Sequence, residues 1–215
     1  MALTHTTPNR QAKRAVCMQC LRPQTTCICT LIARTPHATD LLILQHPMEV
    51  HHAKNTARLL HLCLPGSRLV VGEVFDEAQL HTLVPHGNTA VLLYPLTPHT
   101  PGGSPQEALD LACLGSASQI TLVVLDATWR KSRKMLMQSP ALQGLPRLPL
   151  PDNATPSGYA IRKAHQPHQL STLEATCAAL THLEQNATQF APVLMAFSGF
   201  VAQQQQLTSQ RSKPS

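Results

Sequence analysis

The chain has 215 residues, 43% of them hydrophobic and 13% charged, with 18 prolines and 9 glycines, a balance that excludes a disordered tail protein. No apolar run approaches the roughly 18 residues of a membrane-spanning helix, and MALTHTTPNRQAKRAV lacks the apolar stretch of a secretory signal, so a cytoplasmic, membrane-free protein is expected. Lys and Arg outnumber Asp and Glu by 17 to 11, and the net charge of +6 favours a polyanionic partner.

In chain order, residues 1–14 read as a flexible basic N-terminus and 15–34 as a cysteine zinc knuckle. Residues 35–202 read as one α/β domain and 203–215 as a disordered tail behind a glutamine run. The total of 7 cysteines is odd and crowded toward one end, which suits metal ligation better than a disulfide framework. Cys17-x2-Cys20 is a zinc knuckle spacing that draws two soft ligands from one turn, and Cys27-x-Cys29 completes a tetrahedral set. Little apolar sequence surrounds these thiols, so the metal would be what orders them; an iron–sulfur cluster or four free surface thiols are the alternatives.

From Asp40 onward, unbroken apolar runs (Leu41–Leu44, Leu69–Val74, Ala90–Tyr94 and Ile120–Leu125) predict strands buried on both faces of a mostly parallel sheet. Flanking helices are predicted between them. In 51–64, Ala53, Ala57, Leu60 and Leu64 form one stripe, and the opposite face offers Lys54 and Arg58 as candidate RNA contacts. Ser104-Pro105-Gln106-Glu107 predicts a helix start, with the helix running to Gly115. Ser171 and Glu174 form a capping box opening a helix with Leu173, Cys177 and Leu180 inward, and a last helix presents Phe190, Leu194, Phe197 and Val201. The thiols of Cys63 and Cys177 fall on core-facing stripes.

Ile120–Leu125 delivers Asp126 to the carboxyl end of a buried strand, with a helix starting at or near Thr128. Ligands of open α/β sheets bind at that edge, so Asp126 is a candidate for chemistry; a helix-capping role is the alternative. Trp129, the single tryptophan, is expected in the core rather than at a ligand. Arg130, Lys131, Arg133 and Lys134 cover one arc of the helix and read as phosphate contacts. Within Ser157–Lys163, Tyr159 can stack on a base, and Arg162 and Lys163 can grip a carboxylate or phosphate. His51-His52 and His165-x-x-His168 read as surface histidines.

Taken together, these motifs resemble the DTW-domain family of tRNA-uridine aminocarboxypropyltransferases. The resemblance spans most of the chain: the cysteine knuckle with Arg22-Pro23, His46-Pro47-x-Glu49, Asn55-Thr56-Ala57, Leu93-Tyr94-Pro95, Asp126-x-Thr128-Trp129, Tyr159-x-Ile161-Arg162-Lys163 and Ser171-Thr172-Leu173-Glu174-Ala175. Ala127 separates the acid from the threonine, a departure from the Asp-Thr-Trp of the family name. The family is similar to the SPOUT superfamily, whose sheet can carry a C-terminal trefoil knot. The resemblance implies transfer of the 3-amino-3-carboxypropyl group of S-adenosylmethionine to uridine N3 in tRNA, with 5′-methylthioadenosine as co-product. It implies Asp126 as general base or orienting group, Tyr94, Pro95, Thr128 and Tyr159 around the cofactor, Trp129 and Ser132 against its methyl, and Arg162 on its carboxylate. No obligate protein partner is implied. A SPOUT-type RNA methyltransferase and a non-catalytic zinc-knuckle RNA-binding module are the competing readings.

Overall fold

A computed structural model describes residues 15–96, 115–150 and 170–211. Tyr159, Arg162, Lys163, His165, His168 and the helix expected from Ser104 lie outside them.

Five strands form a single sheet: β1 (Asp40–Gln45), β2 (Arg68–Val71), β3 (Thr89–Leu93), β4 (Ile120–Asp126) and β5 (Arg147–Leu148). Their order is β2-β1-β4-β3-β5, and every pairing is parallel. β4 is buried along its whole length, as an unbroken Ile-Thr-Leu-Val-Val-Leu run requires when helices cover both faces. On one face Leu41, Ile43, Leu122 and Val124 pack against α1 (Ala57–Cys63), α5 (Thr172–Glu184) and α6 (Ala191–Arg211). On the other, Leu42, Leu44, Leu92 and Val123 pack against α2 (Glu77–Leu83), α3 (Trp129–Gln138) and α4 (Pro140–Gln143). Cys63 and Cys177 are core residues as expected, and burial pushes both thiols up from their ordinary pKa.

The connection leaving β1 thus lies on one face and that leaving β4 on the other. These strands are neighbours, so their carboxyl ends flank the crevice where an open α/β sheet places its ligand. Gln45 and Asp126 are the paired terminal residues at that point.

Three expectations are corrected. Helix α1 starts at Ala57 instead of near 51, because His52 N–H bonds back to Glu49 O and Asn55 N–H to His52 O, holding Ala53 and Lys54 in exposed turns. Trp129 is 53% exposed, since it opens α3 beyond the end of the sheet, where no layer of the described residues covers it. The tail is helical through Arg211 because α6 has something to grip. Gln203 Nε2 donates to Cys27 O at 2.9 Å, the Arg22 guanidinium lies 5.0 Å over the Phe200 ring, and Gly199 lets Leu31 approach so closely that a Cβ there would meet its Cδ2 at 3.0 Å. Cys20 and Ile28 are buried in the same cluster as Phe190, Phe197 and Phe200, so the knuckle is an extension of the main core.

Candidate functional site

The knuckle backbone turns tightly. Cys17 N–H bonds to Arg22 O and Leu21 N–H to Cys17 O, Val16 bridges Pro23, and Leu21 takes a left-handed φ of 58°. Arg22 donates to Ala53 O and Arg58 to Gln19 O, which braces this turn against the loop before α1. The four sulfurs all lie within 4.8 Å of one another, with Cys17–Cys29 at 3.5 Å and Cys20–Cys27 at 3.7 Å. A tetrahedron with metal–sulfur bonds of about 2.3 Å has edges of about 3.8 Å, so the donor set fits a metal ion. Backbone N–H groups of Cys20 and Gln19 pull the Cys17 thiol down to about 6, while burial and its contact with Cys17 push Cys29 up to about 12. The lowering at Cys17 favours the thiolate form that a metal ion binds.

At the sheet edge, the Asp126 carboxylate is 4% exposed and collects donors from three parts of the chain. Oδ2 accepts from Gln45 Nε2 at 2.8 Å and Asn55 Nδ2 at 2.6 Å, and Oδ1 accepts from Thr172 Oγ1 at 2.8 Å. Asn55 Oδ1 in turn accepts from Arg58 N, and Thr172 follows Ser171, whose side chain forms the predicted capping box with Glu174. Asp126 does not cap α3. Thr128 occupies the N-cap position of that helix without a side-chain cap bond. Asp126 thus ties the ends of β1 and β4 to the start of α5 and the approach to α1. Gln45, Asn55 and Thr172 were given no role from sequence; the second and third do stand inside the Asn55-Thr56-Ala57 and Ser171–Ala175 motifs.

On the α3 side, His46 Nδ1 accepts from Met48 N–H, so Nε2 carries the ring proton of the neutral form and donates to Glu73 at 2.8 Å. Lys131 pairs with Glu49 at 2.7 Å and Lys134 with Glu73 at 3.7 Å. The basic arc therefore divides: Arg130 and Arg133 are exposed and have no ion-pair partner among the described residues. Lys54 is exposed too, whereas half-buried Arg58 serves the knuckle. Tyr94 meets Trp129 edge-on with ring centroids 5.9 Å apart, and buried Ser132 donates to Trp129 O at 3.1 Å. Pro95 follows Tyr94 at the end of β3. Arg147, which the sequence motifs did not single out, stands 5.0 Å over the Tyr94 ring; burial pulls its pKa down from the usual arginine value.

The fold and site define a parallel α/β protein with a buried, triply hydrogen-bonded carboxylate at its strand reversal and a thiol knuckle packed on its core. The DTW domain model matches residues 14–205, and the chain belongs to the DTW-domain family. It is 34% identical over 185 residues to tRNA-uridine aminocarboxypropyltransferase 2 of Drosophila melanogaster, covering 82% of this chain and 68% of that protein. It is 30% identical over 181 residues to tRNA-uridine aminocarboxypropyltransferase 2 of Mus musculus, covering 81% and 58%. Against tRNA-uridine aminocarboxypropyltransferase A of Arabidopsis thaliana it is 29% identical over 140 residues, covering 59% and 52%. The chain thus spans little more than half the length of the mouse and plant relatives. No solved structure matches it. Among the described residues, no helix is long and apolar enough to cross a membrane.

Proposed function

We propose that the chain is a tRNA-uridine aminocarboxypropyltransferase that uses S-adenosylmethionine as donor. The observation that carries this reading is the Asp126-x-Thr128-Trp129 signature at the strand-reversal crevice of a chain matched by the DTW domain over nearly its full length. The donor supplies an electrophilic methylene: as uridine N3 bonds to it, the carbon–sulfur bond breaks, the electron pair stays on the sulfur of 5′-methylthioadenosine, and the N3 proton passes to water. All three carbons on a sulfonium are electrophilic, so this chain's residues must select the arm by positioning. Exposed Trp129, held edge-on by Tyr94 and one helical turn from Ser132, is suited to wall off the methyl, with Pro95, Thr128 and Tyr159 completing the donor site and Arg162 beside it. Of the two roles open to Asp126, orienting the site is the better supported, because three protein donors already occupy its carboxylate.

In this reading tRNA lies across α3, and its phosphates meet Arg130 and Arg133, with Lys131, Lys134, Lys54, Arg58 and Lys163 adding to the field. Arg130→Ala with Arg133→Ala is expected to weaken tRNA binding and to reduce the slope of log K against log salt by roughly 1–2, measured by filter binding over a salt series. An unchanged slope would remove these residues from the interface. The cysteine knuckle is proposed to hold zinc as a structural ion. The parallel sheet with both faces covered supports a SPOUT-like classification, with a C-terminal knot as part of that assignment.

The deciding experiment is incubation with S-adenosylmethionine and unmodified tRNA, followed by nucleoside mass spectrometry. A uridine carrying the aminocarboxypropyl mass, with methylthioadenosine released, is the expected result. A methyl adduct with S-adenosylhomocysteine would assign a methyltransferase instead. Tight tRNA binding without any adduct would leave a binding module.

A further inference from the structure

Arg147 is a charged side chain without a counter-charge among the described residues. It lies on β5 opposite Leu92 of β3, is 3% exposed, and has both Nε and Nη1 buried with no hydrogen-bond partner. A guanidinium does not shed its proton inside a protein, so the charge persists there. Glu49 is engaged by Lys131 and Glu73 by His46 and Lys134, and Arg147 has no ion pair among the described residues. Its only described contact of electrostatic kind is the face of Tyr94, which offsets a cation far less than a carboxylate does. Tyr94 in turn abuts Trp129, so Arg147, Tyr94 and Trp129 form a ladder from the core to the open edge of the sheet.

A buried arginine with free N–H groups calls for an anion small enough to enter behind Tyr94 and flat enough for the planar fork. A phosphate of a polynucleotide is tied to a chain that cannot follow it beneath the sheet edge. We infer that Arg147, and not the Arg162 to which the resemblance gives this role, binds the α-carboxylate of the aminocarboxypropyl donor and so sets which carbon of the sulfonium faces the acceptor. The inference rests on the donor named above and adds a residue that the sequence motifs did not single out.

Calorimetric titration tests it with three ligands: S-adenosylmethionine, its decarboxylated analogue and 5′-methylthioadenosine, which lacks the whole arm. The wild-type protein should prefer S-adenosylmethionine over the decarboxylated analogue at least tenfold. Arg147→Gln should abolish that preference while binding methylthioadenosine as the wild type does, which also certifies its fold. Should that variant not fold, Arg147→Lys keeps the charge without the fork and should cut the preference several-fold. A wild-type protein indifferent to the carboxylate, or a folded Arg147→Gln variant that still discriminates, overturns the assignment. Loss of tRNA affinity with carboxylate discrimination intact would likewise overturn it, by giving Arg147 to a phosphate. Failure of the wild type to bind any of the three sinks the donor reading itself, a separate outcome.

Discussion

Replacing Asp126 by Asn is expected to lower turnover about 100-fold, the order of loss that follows when a group that orients the site is misplaced by about an ångström. The substitution is not sterically disruptive, but it is electronically awkward. Gln45 Nε2 and Asn55 Nδ2 both donate to one oxygen and Thr172 Oγ1 to the other. An amide can present only one oxygen, so its NH2 must face at least one donor. A lost hydrogen bond at a buried site costs roughly 2 kcal/mol, or about 4–8 °C in Tm for a chain of this size. Activity must therefore be measured on protein shown to be folded at the assay temperature, with donor binding retained. The exchanged pair Asn55→Asp with Asp126→Asn separates the two roles. It restores a donor opposite an acceptor and moves the charge by one side chain. Recovery of Tm without turnover would show that the carboxylate is needed at 126 itself; recovery of both would show that the hydrogen-bonded joint is enough.

The second large effect is expected at the knuckle. Elemental analysis of protein purified without chelator should find one zinc per chain, in a colourless sample that excludes an iron–sulfur cluster. Cys20→Ser should lose the ion and lower stability by at least about 3 kcal/mol, a fraction of the roughly 10–16 kcal/mol apparent for zinc-finger peptides. That corresponds to roughly 6–12 °C in Tm. Chelator should destabilise the wild type and leave the variant unmoved. Wild-type protein that contains no metal, or that keeps its Tm in chelator, would defeat the assignment. The effect should spread beyond the turn, because Cys20 and Ile28 belong to the core that includes α1, α5 and α6.

Four of the five strands could be read to within a few residues, since runs such as Leu41–Leu44 and Ile120–Leu125 leave only a two-sided buried strand as a home. The fifth could not, being just Arg147–Leu148 between prolines. Helix α2 also escaped notice; it has seven residues and Leu80 as its one buried side chain, too few for a periodic stripe, although Asp76 and Gln79 form a capping box. Asp126 was legible because a strand end is a place that sequence can locate. Its partners were not, for they arrive from 81, 71 and 46 residues away, and only the folded sheet brings them together. Trp129 misled because burial habits average over positions, and at the first residue of a helix above a sheet edge the described residues cover it only in part, Tyr94 meeting it edge-on. The basic arc was correct as composition and incomplete as geometry: Glu49 and Glu73, distant in sequence, engage its lysines and leave the arginines free.

The clasp between Cys27 and Gln203 joins positions 176 residues apart. During synthesis the knuckle is made well before the aromatic side chains at 190–200 that shelter Cys20 and Ile28. Until those follow, the young segment has no such apolar roof, and contacts so far apart in the chain form slowly. A metal ion caught by four neighbouring thiols needs no such delay. It would hold the turn in shape until α6 closes over it, so that ion capture precedes helix docking.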